Sequence, residues 1–213
     1  MDQFRTLAVS LAVASLLMLQ TACVGKPDLT SPPTTVPGQA PTSTSHMTLG
    51  QLQQRLLTYA GSLKQPFDVS QDAFASMLGV KLVPIEPGTT GGEAKSQPLA
   101  DGYQFYASFA SHSTPSSFPL HEVLMFLPGG KSLTRENSPP CIWSAELASK
   151  QLEAMGYERG GERPFRQGWM RQHWRPIGDS KQGFSANLLI YHSGPEEAPE
   201  SCVYGVRYWG GDA

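Results

Sequence analysis

The chain has 213 residues and carries 16 lysines and arginines against 18 aspartates and glutamates, a formal net charge of −2. The chain therefore lacks the basic excess that is typical of nucleic-acid-binding proteins, which argues against that class of function. Charged residues make up only 16% of the chain, and 21 glycines and 18 prolines predict many turns and short elements.

The N-terminal segment has the layout of a secretory signal peptide. Asp2 and Arg5 precede an apolar run of thirteen residues, 7–19. A membrane-spanning helix needs about 20 apolar residues, so this run suits the apolar region of a cleaved signal. Two small residues, Thr21 and Ala22, then lead to Cys23. The pattern predicts a signal peptide over 1–22.

The end of this segment resembles the lipobox of bacterial lipoproteins, with Gln20 at the place where that family usually has Leu. The resemblance implies that Cys23 carries a diacylglycerol on its sulfur and an acyl chain such as palmitate on its new amino terminus. It also implies an outer-membrane location facing the periplasm, because Val24 stands where an Asp would resemble the inner-membrane retention signal. The alternative is an ordinary secretory signal that is cut near Ala22 and leaves Cys23 unmodified.

Residues 23–46 are predicted to form a tether, because prolines alternate there with Thr, Ser and Gly and the segment has too few apolar residues to form a core. The tether extends the reach of the domain into the periplasm, or it is a spacer without a selected length. Residues 47–213 are long enough to bury a core and predict a single α+β periplasmic domain.

Hydrophobic periodicity predicts the elements of this domain in chain order. Helices are expected over 48–62, 70–78 and 144–155, with Thr48 and Ser70 as N-caps and Gly61, Gly79 and Gly156 as C-terminal stops. Strands are expected over 103–110, 121–127, 168–175, 184–192 and 202–209. The class is α+β, an antiparallel sheet of short strands with two or three helices on one face. A duplicated helix-plus-strands unit is a further hypothesis.

Two cysteines remain once Cys23 is assigned to the lipid. In an oxidising compartment an even number favours a disulfide, here between Cys141 and Cys202. The rival interpretation is chemical, because a cysteine before a helix can be a nucleophilic thiolate. With His173 or His192 on a later strand, Cys141 would resemble the cell-wall cysteine endopeptidases, but the Asp-Cys-Ser signature of that group is missing.

The candidate partner-binding residues cluster around the strand predicted at 168–175. Trp169, Arg171, His173 and Arg175 would share one face, and Arg166 precedes them. A solvent-facing row of this kind would suit a carboxylate-rich partner. The alternative is a core edge with arginines extending around a packed Trp.

The sequence contains no HExxH, GxSxG, SxxK or CxxC motif and no phosphate-binding loop, and its five histidines are scattered. We therefore expect no cofactor, no metal and no catalysis. The leading hypothesis is a binding module, held at the membrane by its lipid, that binds a protein or peptidoglycan. As a small lipoprotein with a predicted disulfide and no catalytic motif, it resembles periplasmic inhibitors and immunity proteins, whose partner is a toxin or a hydrolase. The alternatives are an outer-membrane assembly or structural lipoprotein and a cell-wall cysteine hydrolase that uses Cys141.

Overall fold

Three helices and seven strands make up the computed structural model, which describes residues 47–87, 90–111, 117–133 and 139–212. The helices are α1 (Leu49–Ser62), α2 (Gln71–Leu78) and α3 (Ala145–Ala154). The strands are β1 (Gly91–Pro98), β2 (Gln104–Ala110), β3 (Ser117–Phe126), β4 (Glu158–Phe165), β5 (Gly168–Pro176), β6 (Gln182–Ser193) and β7 (Glu200–Asp212). Short 3₁₀ turns occupy Pro66–Asp68 and Pro128–Gly130.

All seven strands belong to one sheet in the order β1-β2-β3-β7-β6-β5-β4, and every neighbouring pair is antiparallel. The sheet consists of two meanders that join where β3 pairs with β7. A helix precedes each meander, α2 before three strands and α3 before four. The predicted α+β class with an antiparallel sheet is confirmed; a duplication of the two halves stays a prediction.

The predicted N-caps of α1 and α2 and the predicted stop of α2 are present, whereas Gly61, predicted to end the first helix, lies within α1. The Thr48 hydroxyl accepts a hydrogen bond from the Gln51 amide while the Gln51 side chain accepts one from the Thr48 amide, which forms a capping box. The Ser70 hydroxyl accepts from the Ala73 amide at the start of α2. Gly79 ends α2 with a φ of 71°, a left-handed conformation that glycine adopts without steric cost.

Tyrosine hydroxyls attach the sheet to the end of α1. Tyr208 of β7 donates to the Leu56 carbonyl at 2.7 Å, and Tyr157 donates to the Ala60 carbonyl at 3.0 Å. The face of β6 and β7 that carries Leu188, Val206 and Tyr208 therefore belongs to the main core under the helices. The alternate side chains of these strands point to the other face of the sheet.

Two strands had no counterpart in the sequence prediction, and both are edges of the sheet. The side chains of β4 are almost all exposed, and β1 contains two glycines, a lysine and a proline. Strand β4 shows no alternation of apolar and polar residues because both of its faces are exposed. In β1 the buried positions are Gly92 and Ala94, small residues that give no apolar signal. Edge strands are also commonly polar, which limits pairing with other chains.

Residues 1–46 lie outside the described residues, and with them the predicted signal peptide, Cys23, the tether and His46. His112 lies in a second gap. Of the helices that are described, none is long and apolar enough to cross a membrane.

Candidate functional site

The structure corrects the predicted solvent-facing row on β5. Trp169, Arg171 and Arg175 pair with Ile190, Leu188 and Phe184 of β6. These partners belong to the core beneath the helices. Of the row, His173 and Arg175 are buried. The expectation of solvent exposure is therefore wrong for them, and the core-edge alternative describes them better.

Arg171 is held on the helix-covered side by carboxylates. Its Nε donates to Glu162 at 2.9 Å, and its guanidinium lies 3.6 Å from Glu146 of α3. A further bond joins it to the Ser149 hydroxyl at 3.2 Å. With these partners and only 12% of its side chain exposed, Arg171 links α3 to the sheet and is not placed to reach a partner protein.

Arg175 links the ends of two helices. Its guanidinium donates to the carbonyls of Leu63 and Ala60 at the end of α1 and to the Met155 carbonyl at the end of α3. It also lies over the Tyr157 ring, 4.4 Å from the centroid. A cation beside helix C-termini is favourable because those carbonyls carry partial negative charge. The role of Arg175 is therefore structural.

His173 is also buried, and burial lowers its pKa to about 4, with the positive charge of Arg159 contributing. His121 of β3 is likewise buried, and burial lowers its pKa to about 3. Four aromatic rings surround His121: Tyr59, Phe74, Phe109 and Tyr208. Both histidines are therefore neutral side chains of the core at neutral pH.

The other two predicted residues lie at the surface. Trp169 is 37% exposed and stacks on His192, with 5.9 Å between the ring centroids. Arg166 occupies the two-residue turn between β4 and β5 and has a φ of 54°. Its guanidinium donates to Glu122 of β3 at 3.0 Å.

Glu122 identifies the candidate site, which sequence reasoning missed. It lies on the sheet face opposite the helices, together with Arg163 of β4, Asn187 of β6, and Arg207 and Trp209 of β7. We call this the open face. Glu122 pairs with Arg207 in the register of β3 and β7, and Asn187 pairs with Arg207 across β6 and β7. These residues come from four different strands, so no local pattern in the sequence could have joined them.

Arginines gather around Glu122. Arg166 lies 3.0 Å from one carboxylate oxygen, and the Arg207 Nε lies 4.0 Å from the other. Both guanidiniums also lie over the Phe165 ring, at 5.1 and 5.4 Å from its centroid. Burial lowers the pKa of Arg207, and the charges of Arg166 and Arg163 lower it further, while Glu122 opposes this shift. One carboxylate thus faces several cations.

Two cavities border these arginines. One has a volume of about 250 Å³ and is lined mainly by apolar atoms; Leu124, Phe126, Leu133, Tyr204 and Arg166 are among its lining residues. The second has a volume of about 140 Å³ and is lined by Arg163, Met170, Asn187, Arg207 and Trp209. Trp209 is 40% exposed, so the open face presents aromatic surface beside positive charge. Arginine with an aromatic side chain is a combination enriched at protein interfaces.

The disulfide prediction is confirmed, since Cys141 and Cys202 are bonded to each other. Glu200 lies beside them, and these three residues form a group whose ligand-type atoms lie close together. Because both sulfurs are bonded, the group offers no thiolate to a metal or a substrate. The hydrolase alternative would therefore require the reduced protein.

Comparison with known proteins finds no match: no family model, no curated protein and no solved structure resembles the chain significantly. Any statement about function therefore depends on the residues and geometry described above.

Proposed function

We propose that this protein is a non-catalytic binding module of the bacterial envelope, anchored through a lipidated Cys23. Its open face binds a carboxylate-rich partner protein, and the function is that of an inhibitor or immunity protein against a secreted toxin or a wall-degrading enzyme. The compartment follows from the signal segment of the sequence, and the binding surface follows from the open face.

The observation that carries the proposal is the concentration of cations around Glu122 on the open face. Arg166 and Arg207 approach the carboxylate of Glu122, and the pKa of Arg207 is lowered by burial and by the positive charges of Arg166 and Arg163. Guanidiniums that repel one another in a partly desolvated position are stabilised when an anionic partner arrives. Guanidinium also suits carboxylates in particular, since it binds them through two parallel hydrogen bonds.

The backbone of Arg166 supports the same conclusion. A two-residue hairpin turn favours Gly or Asn where φ is positive, and a longer side chain there is uncommon. Arg166 occupies this position with a φ of 54°, and it places its guanidinium over Phe165 and against Glu122. A strained position that carries a charged group at a surface cluster favours a functional role for that group.

The direct test is capture of the partner from an envelope extract of the source bacterium. The bait is the mature chain from residue 23 onward, either unchanged or carrying Arg163→Gln and Arg166→Gln. We expect the unchanged bait to retain a protein that the variant loses, and mass spectrometry of the eluate identifies it as a toxin, a hydrolase or an assembly component.

A matched control carries Lys64→Gln and Lys150→Gln, which remove the same charge from exposed positions beside and within the helices. The control should retain the partner. Near-ultraviolet circular dichroism establishes that each bait is folded. Equal retention by the open-face variant would remove this surface from the proposal, and a toxin among the retained proteins would favour the inhibitor over the assembly factor.

The anchor has its own test. Cys23→Ala removes the sulfur to which the lipid would be attached, so we expect the chain to leave the membrane fraction or to keep its signal peptide. Intact mass of the unchanged chain should exceed that of the polypeptide from residue 23 by the attached acyl groups. A mass equal to that of the bare polypeptide would contradict lipidation.

A further inference from the structure

The smaller cavity of the open face offers hydrogen-bond donors and apolar surface. Arg163, Met170, Asn187, Arg207 and Trp209 line it. They come from four neighbouring strands, and the register aligns Arg163 with Met170 and Asn187 with Arg207. The rigid sheet therefore fixes the relative positions of these side chains, as a preformed binding site requires.

Asn187 is the decisive residue. It is only 1% exposed, and its Oδ1 accepts a hydrogen bond from the Ser185 hydroxyl at 3.0 Å. Its Nδ2 has no hydrogen-bond partner among the described residues. A buried donor without a partner costs about 1–3 kcal/mol, so a sequence that retains one at a cavity favours a ligand that supplies the acceptor.

Arg207 presents a second donor of this kind. Its Nε is buried and lies 4.0 Å from the nearest Glu122 oxygen, which is too far for a hydrogen bond. Arg163, which is exposed on the edge strand β4, adds a second guanidinium to the lining. The Trp209 indole can donate but not accept. The lining thus lacks a strong acceptor, and it complements a group that only accepts.

We propose that this cavity binds a carboxylate group of the partner protein, with Asn187 Nδ2, Arg207 and Arg163 as its donors. This inference rests on the proposed function and names the chemical group that the open face recognises. The volume of about 140 Å³ equals the share of roughly four to five water molecules, which accommodates a carboxylate and the carbon that bears it. Sulfate or phosphate would bring additional charged oxygens into a lining that includes the Met170 thioether, which donates no hydrogen bond, so a carboxylate with two oxygens fits better.

Acetate is a suitable probe because it contains only the proposed group. Sodium acetate is titrated into the ¹⁵N-labelled mature chain, with sodium chloride adjusted to hold the ionic strength constant. We expect the side-chain amide signal of Asn187, assigned by its disappearance in Asn187→Leu, to shift saturably. Arg163→Gln should weaken acetate binding about tenfold or more, because a charge-assisted hydrogen bond is lost. Lys150→Gln on α3 serves as the control and should bind acetate unchanged.

Two results would overturn the inference: an Asn187 amide signal that acetate does not move, or an affinity that Arg163→Gln leaves unchanged. Arg163 is exposed, so this variant tests the site without disturbing the core.

Sulfate titrated in the same way must bind more weakly, since equal affinity would identify a general anion site. If acetate fails to bind but the open-face variant still loses the captured partner, the proposed function stands without this subsite. If acetate binds while capture is unaffected, the subsite stands and the proposed docking surface fails.

Discussion

Arg175 provides the sharpest test of how the helices are attached to the sheet. It is a buried cation whose nearest described partners are carbonyl oxygens and the Tyr157 ring, with no carboxylate within salt-bridge distance among the described residues. The informative change is Arg175→Met, which keeps an unbranched apolar stem and removes the guanidinium. The carbonyls at the ends of α1 and α3 then lose their shared donor.

The expected magnitude follows from these contacts. Ala60 keeps a donor because the Tyr157 hydroxyl also bonds to its carbonyl, whereas the carbonyls of Leu63 and Met155 lose the guanidinium. Each buried acceptor left without a partner costs about 1–3 kcal/mol. Loss of the cation over the Tyr157 ring adds about 1–2 kcal/mol, while relief of the buried charge offsets part of the total. We expect the free energy of unfolding to fall by about 3 kcal/mol.

Urea unfolding followed by tryptophan fluorescence measures this change. Arg55→Met is the matched control, because Arg55 is exposed and makes one bond, to the Met77 carbonyl at 3.0 Å. We expect the control to lose no more than about 1 kcal/mol. If Arg175→Met is no less stable than Arg55→Met, Arg175 does not secure the helix ends, and its place among the partner-binding candidates would have to be reconsidered.

Two further predictions concern stability. Cys141→Ala combined with Cys202→Ala removes a disulfide between residues 61 positions apart, which should lower the free energy of unfolding by about 4 kcal/mol in the chain-entropy model. Thermal unfolding of the unchanged protein with and without reductant measures this effect. A melting temperature that does not respond to reductant would contradict the disulfide. His121 and His173 have folded pKa values of about 3 and about 4, both below the ordinary 6.5. As the pH falls below 6.5, these two histidines are protonated in the unfolded chain but remain neutral in the folded one. The free energy of unfolding should therefore fall by about 1.4 kcal/mol per pH unit for each histidine. His173→Gln should halve that slope in urea unfolding between about pH 5 and 6, and an unchanged slope would contradict the assignment.

Local signals in the sequence predicted the helices and the central strands well. Thr48, Ser70 and Gly79 act through contacts within a few residues, so their roles could be recognised without knowledge of the fold. The edge strands β1 and β4 carry no such signal, because the side chains of β4 are almost all exposed and the buried positions of β1 are the small residues Gly92 and Ala94.

The faces of β5 illustrate the limit of the pattern. Alternation correctly placed Trp169, Arg171, His173 and Arg175 on one face, but it could not say which face the helices cover. That choice is decided by tertiary contacts, such as those of Arg171 with α3 and of Arg175 with the ends of α1 and α3. The Glu122 cluster was hidden for a related reason, since β3 and β7 are neighbours in the sheet but are separated in the sequence by the other three strands of the second meander.

The two sides of the sheet use arginine in physically different ways. Under the helices, Arg171 pairs with Glu162 and Arg175 donates to backbone carbonyls at the helix ends. Removing Arg175 therefore leaves carbonyls at the helix ends without their donor. On the open face, Arg166 and Arg207 share the carboxylate of Glu122, and the positive charge of Arg163 also acts on Arg207. Removing Arg163 or Arg166 therefore also removes repulsion. Substitution of Arg163 should therefore change binding with little effect on stability, whereas substitution of Arg175 should lower stability first. A surface selected only for folding would not need this concentration of charge, which is why we propose that the binding function lies on the open face.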